Sequence, residues 1–312
     1  MNNEGIVIKS TGSWYLVETP SGNIVNCKIK GKFKTSGIKT TNPVAVGDKV
    51  QFDFVDNDNV GIITKIFPRN NYIIRKSTNL SKSEQIIAAN IDYCIIIATI
   101  KQPRTSTGFI DRILTTAEAY HIPSVIVFNK LDLYDDNDLE RLAELMYIYE
   151  NAGYKVIVTS AVKNIGLEEF RNLLKDKVSL ITGHSGVGKS ALINTIIPES
   201  DIKIGDISQY HEKGKHTTTF ATMYKLPIGG YIIDTPGIKE FGLADMDKIE
   251  IAERFPEIRK FQHECRFNNC THTNEPGCAV KEAVEEGLIP EERYNSYLSI
   301  ISDDYLNKNN YD

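Results

Sequence analysis

The octapeptide Gly183–Ser190, GHSGVGKS, constrains the fold of this 312-residue chain more than any other feature. It follows a short β-branched run, Val178–Thr182, and it precedes a stretch of helical character, Lys189–Ile197. In such a strand–loop–helix unit, the glycines allow backbone N–H groups to surround phosphate groups at the start of the helix. The pattern therefore predicts an α/β domain that carries a phosphate-binding loop.

Two side chains of this loop have predicted roles. Lys189 is expected to contact the β- and γ-phosphates of a nucleotide, and Ser190 is expected to bind the Mg²⁺ ion that accompanies it. The nucleotide contacts as a whole are expected from the loop and the residue that follows it: Gly183, His184, Ser185, Gly186, Val187, Gly188, Lys189, Ser190 and Ala191.

Further β-branched runs alternate with helical stretches in the middle of the chain. Strands are predicted at Ile91–Ala98, Val125–Phe128, Val156–Val158 and Tyr231–Ile233, and helices at Phe109–Tyr120, Leu139–Ala152 and Leu167–Lys175. This alternation predicts a parallel sheet with helices on both faces.

The motif Asn129-Lys130-Leu131-Asp132 follows one of these strands and favours guanine as the base. The Asp132 carboxylate can accept two hydrogen bonds from guanine, whereas adenine would leave it unpaired, which opposes an ATPase. Asn129 is expected to brace the base edge and Lys130 to pack along the ring. Ser160 and Ala161, after the next strand, are expected to support the guanine carbonyl through backbone N–H groups. Alone, the motif would also suit the start of a helix.

The order of the motifs is unusual for a GTP-binding protein. Asp234-Thr-Pro-Gly237 follows another strand; Asp234 is expected to hold Mg²⁺ and Gly237 to donate its N–H to the γ-phosphate. The base-reading motif thus precedes the phosphate-binding loop, and the Mg²⁺ motif comes last. Because ligands bind at the carboxyl ends of parallel strands whatever the chain order, the site survives this rearrangement. The sequence predicts a circularly permuted GTPase.

The segment GKHTTT, residues 214–219, lies where a loop that senses the γ-phosphate is expected. Thr218 is the predicted Mg²⁺ ligand there, with Thr217 and Thr219 as alternatives. Ile238 stands where many GTPases carry a glutamine that orients water, and its side chain cannot do so. His216 is therefore the predicted water-positioning residue, although a polar surface loop is the alternative. The predicted catalytic residues are His216, Thr218 and Lys189.

The first 68 residues contain about five short strands divided by turn signals, a pattern that predicts an OB-type β-barrel. Lys28, Lys30, Lys32 and Lys34 alternate along one predicted strand and so share a face. That face is either a solvated lysine face or a surface that contacts nucleic-acid phosphates. Residues 69–90 are polar and predict a linker.

Four residues near the C-terminus have metal-ligand spacing: Cys265, Cys270, His272 and Cys278. Three thiolates and one imidazole form a closed tetrahedral set, which predicts one structural zinc ion. Cys94, in contrast, lies in an apolar run and is predicted to be a buried core residue. The predicted domains are an OB-fold barrel at 1–68, a permuted GTPase domain at 69–240 and a helical zinc-binding domain at 241–312.

Composition excludes some classes of protein. The chain has no apolar run long enough to span a bilayer and begins without a signal-peptide pattern, so we expect a cytoplasmic protein without a membrane partner. Its net charge of −5 resides entirely in residues 281–312, which carry eight acidic and three basic residues. An acidic average therefore does not oppose nucleic-acid binding elsewhere. A monomer is expected.

Together these motifs resemble the RsgA (YjeQ/YloQ) family of circularly permuted GTPases. Residues 88–92, Ala-Ala-Asn-Ile-Asp, and the pair Asp111-Arg112 also look like family positions, and Lys215 stands where arginine is common. The resemblance implies an OB-fold domain, a permuted GTPase domain and a zinc-bearing C-terminal domain. It further implies a bacterial factor in late maturation of the small ribosomal subunit, in contact with its rRNA, whose GTP hydrolysis the subunit stimulates.

Two other functions remain as alternatives. One is a permuted GTPase of large-subunit assembly, which the barrel and the zinc set oppose. The other is a nucleotide-gated RNA-binding scaffold in which hydrolysis is incidental.

Overall fold

A computed structural model describes residues 3–29, 43–55, 58–76, 84–197, 221–234 and 246–302. They form two compact units. One contains described residues from 1–94, 168–182 and 190–241, and the other contains those from 95–167, 183–189 and 242–312.

A closed five-stranded barrel begins the first unit, as predicted. Its strands are β1 (Asn3–Ser10), β2 (Tyr15–Glu18), β3 (Ile24–Ile29), β4 (Lys49–Val55) and β5 (Asp58–Ile66). They pair in the order β1-β2-β3-β5-β4, and β4 returns to β1, which is the closure of an OB-type barrel. Alternate residues point inward, so small β-branched side chains such as Val7, Val17 and Val50 fill the barrel together with Phe52.

The linker predicted at residues 69–90 is wrong where two strands form. Strands β6 (Tyr72–Lys76) and β7 (Glu84–Ala89) pair as an antiparallel hairpin. Polar side chains hold the ends of this hairpin through contacts that are distant in sequence. Asn71 exchanges two hydrogen bonds of 2.8 Å with the backbone of Ile91, and Asn90 Nδ2 donates to the Gly47 carbonyl at 2.9 Å.

The segment at residues 88–92 joins this hairpin to the rest of its unit. Ala89 N–H donates to the Val46 carbonyl at 2.8 Å, and the Asp92 carboxylate accepts the N–H of Val178 at 2.8 Å. Gly47 has φ +88°, and a Cβ there would lie 2.1 Å from the Ala89 carbonyl oxygen. Only glycine allows this close approach of two backbones.

The first unit continues with part of the α/β sheet. It contains α3 (Leu167–Leu174), β11 (Val178–Thr182), α4 (Lys189–Asn194), β12 (Thr222–Lys225) and β13 (Tyr231–Asp234). Strands β11 and β13 are parallel, whereas β12, which the sequence patterns did not predict, is antiparallel to β13 and also pairs with β1 of the barrel.

The second unit begins with alternating strands and helices. These are β8 (Tyr93–Ala98), α1 (Thr107–Ala119), β9 (Ser124–Phe128), α2 (Asp136–Asn151) and β10 (Lys155–Val158). The strands lie in the order β10-β9-β8, and β9 and β10 are parallel. Ser106 caps α1, and Asp135 forms a capping box with Asp138 at the start of α2, which fixes where both helices begin. Cys94 is buried, as predicted.

The C-terminal part of the second unit is helical. Its helices are α5 (Lys248–Glu253), α6 (Pro256–Phe261), α7 (Ala279–Glu285) and α8 (Glu291–Ile301). Phe255, Ile258, Val280 and Tyr297 are among the buried residues that form its core. The domain boundaries at 68 and 240 stay a prediction. Within the ranges given above, no helix combines the length and apolar character needed to cross a membrane.

Candidate functional site

The motif at residues 129–132 and the segment at 159–161 lie side by side in the second unit. Strands β9 and β10 are parallel and pair Phe128 with Val158, so the residues that follow them leave the sheet at the same edge. Thr159 Oγ1 donates to Asn129 Oδ1 at 3.1 Å, and the Leu131 N–H donates to the Thr159 carbonyl at 3.1 Å. These bonds hold the two predicted base-reading segments together.

Asn129 also contacts the phosphate-binding loop. Its side chain is buried, and Nδ2 donates to the Val187 carbonyl at 2.9 Å. The sequence predicted only a role at the base edge. The structure adds a contact that links the base-reading segment to the loop at residues 183–190.

Asp132 lies in a half-buried position at the site edge. The Ser160 hydroxyl donates to its carboxylate, and the same hydroxyl accepts the N–H of Lys163 at 3.1 Å. Ala161 follows Ser160 directly and is half-buried. Ser160 therefore holds one oxygen of the carboxylate that is predicted to recognise guanine.

Lys130 has a backbone conformation that brings its side chain back over the loop after β8. Its φ is +68°, and Nζ donates to the Gln102 carbonyl. Tyr134, which the motif analysis missed, supports the same corner: its hydroxyl donates to the Asn129 carbonyl and accepts the N–H of Ile100 at 2.9 Å. Burial raises the pKa of Tyr134 to about 12, so the hydroxyl keeps its proton at neutral pH.

The glycines of the phosphate-binding loop are required by their surroundings. Gly183 has φ +148°, and a Cβ there would lie 2.3 Å from the Ile97 carbonyl oxygen. Gly188 has φ +95°, and a Cβ there would lie 2.4 Å from Asn129 Nδ2. The intervening Ser185 and Gly186 are exposed, and Val187 is buried. Both glycines thus allow a close approach that a Cβ would block, as the backbone of a phosphate-binding loop requires.

Lys189 folds back over this loop. Its Nζ donates to the carbonyls of Gly183 at 2.8 Å and His184 at 2.7 Å. A phosphate bound in the loop would offer charged oxygens in exchange for these neutral acceptors. The lysine is therefore held over the loop in which the phosphates are predicted to bind.

His184 stacks on an aromatic residue of α1. Its ring lies 3.8 Å from the ring of Phe109, centre to centre, at 29° between planes. The sequence placed His184 in the loop but gave no partner for it, because Phe109 is far away in the chain.

The predicted Mg²⁺ ligands are only partly described. Ser190 lies in α4, as does the exposed Ala191, and Asp234 is the last residue of β13. Thr218, His216 and Gly237 lie outside the described residues, as do Thr217, Thr219 and Lys215.

The four predicted metal ligands meet in one cluster. The donor atoms of Cys265, Cys270, His272 and Cys278 all lie within 4.8 Å of one another, so the cluster could hold a metal ion. His272 Nδ1 is 3.6 Å from Cys265 Sγ and 3.5 Å from Cys278 Sγ, and these two sulfurs are 3.9 Å apart. Burial raises the pKa of the Cys270 thiol to about 12. A divalent cation would replace the thiol protons and reverse this effect.

The loop that carries the ligands is held from two sides. Glu275 accepts the N–H groups of Thr271 and Thr273, both at 2.9 Å. Burial alone would raise the pKa of Glu275, but these hydrogen bonds outweigh it and hold the pKa at about 2. Tyr294 and Tyr297 of α8 donate to the carbonyls of His272 and Thr271, so α8 fixes the loop as well.

Only one of the four predicted barrel lysines lies among the described residues. Lys28 is exposed, and its Nζ lies 4.0 Å from the centre of the exposed Trp14 ring. Lys30, Lys32 and Lys34 lie outside the described part of the chain.

A buried ion cluster was missed by the sequence analysis. Arg293 of α8 donates to Asp111 of α1 at 2.5 Å and to Glu257 of α6 at 2.5 Å, and all three side chains are buried. The sequence analysis noted Asp111 only as part of the pair Asp111-Arg112, which looks like a family position. Nothing local marked Arg293, which lies in an acidic helix.

Comparisons with known proteins agree with this architecture. A family model described as "RsgA GTPase" matches residues 66–244, and one described as "RsgA N-terminal domain" matches residues 4–63. The small ribosomal subunit biogenesis GTPase RsgA of Phocaeicola vulgatus is 52% identical over 300 residues, which cover 96% of each chain. The protein of the same name from Flavobacterium psychrophilum is 52% identical over 302 residues, 96% of this chain and 93% of that protein.

Two crystal structures are similar over almost the whole chain. YjeQ from Thermotoga maritima matches with a TM-score of 0.78 and 36% identity, over 96% of this chain and 98% of that one. YloQ, described as a circularly permuted GTPase, matches with a TM-score of 0.76 and 26% identity, over 99% of this chain and 96% of that one.

Proposed function

This chain belongs to the RsgA family of circularly permuted GTPases, and on that premise we propose that it binds the small ribosomal subunit and hydrolyses GTP during late maturation of that subunit. GTP hydrolysis follows from the family. The small subunit as partner is supported by relatives that are 52% identical over 96% of this chain and are named small ribosomal subunit biogenesis GTPases. These relatives carry the proposal.

The second unit supplies the groups for guanine and phosphate recognition. Asp132, oriented by Ser160, accepts hydrogen bonds from the guanine ring. The N–H groups of the phosphate-binding loop surround the phosphates, and Lys189 exchanges its two carbonyl partners for phosphate oxygens. Asn129 couples the two regions because it contacts both Thr159 and Val187.

Mg²⁺ accompanies GTP in this family and neutralises charge that develops on the phosphates. Ser190, Thr218 and Asp234 are the residues that we assign to it. Ser190 fits because a hydroxyl oxygen is a ligand of the kind that Mg²⁺ prefers, and it follows directly on Lys189. His216 positions the attacking water in this proposal.

We propose zinc as the metal of the cysteine cluster. Zn–S bonds of about 2.3 Å and Zn–N bonds of about 2.05 Å at tetrahedral angles place two sulfurs about 3.8 Å apart and sulfur and nitrogen about 3.6 Å apart. The observed separations are 3.9 Å between the sulfurs of Cys265 and Cys278, and 3.5 and 3.6 Å from these sulfurs to the His272 nitrogen. The closed set leaves no position for a substrate, so the ion is structural.

rRNA is the proposed contact of the barrel. Lys28 with Trp14 presents a cation beside an aromatic ring, a combination that suits phosphates and bases. The protein acts in the cytoplasm as a monomer in this proposal.

The decisive experiment measures GTP hydrolysis with purified small subunits, large subunits or neither. The proposal expects strong stimulation by small subunits alone. Stimulation by large subunits would favour the alternative of large-subunit assembly. Subunit binding that depends on nucleotide but leaves hydrolysis unchanged would favour an RNA-binding scaffold.

A further inference from the structure

Arg293 ties α8 to α1 through a buried ion pair. Its guanidinium donates to Asp111 and Glu257, and the rings of Phe255, Tyr149 and Tyr154 lie 4.7, 5.6 and 5.7 Å from it. The Tyr149 hydroxyl donates to the same Asp111 oxygen at 3.0 Å. Such a fully enclosed guanidinium has one stable orientation, because any other would leave buried charges unpaired.

The Arg293–Asp111 pair is one of the contacts that join α1 and α8. An open cleft of about 520 Å³ beside it is lined by residues of both helices, including Gly108, Arg112 and Asn295. The lining residues of α8 extend from Glu291 to Ile300, so side chains leave part of the space between α1 and α8 unfilled.

Phe109 ties the opposite side of α1 to the phosphate-binding loop. Phe109 and Asp111 are two residues apart, and at 3.6 residues per turn their side chains project about 200° apart around the helix. Phe109 stacks on His184 at 3.8 Å, whereas Asp111 faces Arg293. Helix α1 thus lies between the phosphate-binding loop and the helix that supports the metal-binding loop.

We propose that α1 transmits the position of the metal-bearing C-terminal segment to the phosphate-binding loop, with Asp111 and Phe109 as positioning residues at its two contacts. This inference rests on the proposed binding of GTP at that loop. The C-terminal segment is joined to α1 because Tyr294 and Tyr297 of α8 hold the metal-binding loop while Arg293 of the same helix holds Asp111. A shift of α8 therefore reaches His184 through two rigid contacts.

The test compares the full-length variants Asp111→Asn and Phe109→Leu with the wild type. Asparagine keeps the shape of the side chain and an acceptor for Tyr149, and leucine keeps an apolar side chain but removes the ring. Each variant should bind a fluorescent GDP analogue at least about fivefold more weakly, a typical coupling between sites. Peptides that cover residues 183–190 should also exchange amide hydrogens faster. Circular dichroism and metal content confirm that each variant is folded.

The double variant separates a series connection from two independent effects. If both contacts belong to one path, the double variant binds GDP no more weakly than the single variant with the larger loss. Independent losses would instead multiply. Glu292→Gln is the matched control. It removes the negative charge that pairs with Arg141 of α2 on the same helix α8, while glutamine keeps an acceptor, and GDP affinity should not change.

Several outcomes would overturn the inference. These are multiplied losses in the double variant, unchanged exchange at residues 183–190, or an equal loss in Glu292→Gln. Failure of the proposed function is a distinct result, because the wild type itself would then bind no guanine nucleotide.

Discussion

Replacing Arg293 with methionine should destabilise the protein strongly. Methionine fills similar space among the rings of Phe255, Tyr149 and Tyr154, but it leaves the buried carboxylates of Asp111 and Glu257 without their cation. Breaking a buried pair from one side costs about 3–5 kcal/mol. At about 2–4 °C per kcal/mol for a unit of this size, the thermal midpoint should fall by roughly 6–20 °C at neutral pH.

This loss should depend on pH in a defined direction. Burial raises the pKa of Asp111 in the folded protein, and Arg293 opposes that shift. Without Arg293 the folded-state pKa of Asp111 is higher still. An acid with a raised folded-state pKa stabilises the fold at low pH and loses that contribution as the pH rises through this pKa. The deficit of Arg293→Met should therefore grow as the pH rises from the wild-type pKa of Asp111 towards that of the variant.

Arg141→Met provides the matched control, because it removes the same charge from the same unit. Its partners Glu292 and Glu144 are partly exposed, so the expected loss is below about 1 kcal/mol and varies little with pH. Thermal unfolding followed by circular dichroism at pH 5 and pH 8 measures both variants. Equal losses in the two variants, or a loss in Arg293→Met that does not grow with pH, would refute the reasoning.

Four further predictions concern the proposed sites. Asp132→Asn should lose affinity for GTP and gain affinity for xanthosine triphosphate in competition with fluorescent GDP; an unchanged preference would remove Asp132 from base recognition. Cys270→Ser should lose the single bound metal ion and unfold the C-terminal segment more easily while GDP binding stays measurable, and one ion per chain in the variant would contradict this. His216→Ala should lose subunit-stimulated hydrolysis but keep GTP binding, and surviving stimulation would assign the water to another group. Charge reversal at Lys28 and Lys30 should weaken subunit binding and reduce its dependence on salt; unchanged binding would leave both as ordinary solvated lysines.

Local patterns predicted the parts of the fold that depend on neighbours in sequence. The barrel was predicted because its short strands are divided by turn signals, such as Pro20–Asn23 and Val46–Asp48. The cluster of Cys265, Cys270, His272 and Cys278 could be predicted because their spacing is that of a closed metal-ligand set, and their donor atoms do lie together. The loop at residues 183–190 was predicted from its pattern between a strand and a helix, and the structure shows that a side chain at Gly183 or Gly188 would meet its neighbours.

Contacts between distant residues could not be predicted in this way. Polar residues surround the short strands β6 and β7, and the hairpin is held by Asn71 and Asn90 through partners 20 and 43 residues away. Arg293 reaches Asp111 across 182 residues, and in its own helix it looks like a solvated residue among acidic ones. In such cases the sequence shows the residue, but not the distant partner that it contacts in the folded protein.

The order of the motifs along the chain bears on what the buried Arg293–Asp111 pair adds. Because the predicted Mg²⁺ motif comes last, the C-terminal segment that contains the Cys265–Cys278 cluster follows Asp234 in the chain and is joined covalently to that motif. A covalent connection limits only the distance between its two ends. The Arg293–Asp111 pair and the Phe109–His184 stack constrain orientation as well, because both are short side-chain contacts. A partner that moves the metal-bearing segment would therefore act on the Mg²⁺ motif through the chain and on the phosphate-binding loop through α1.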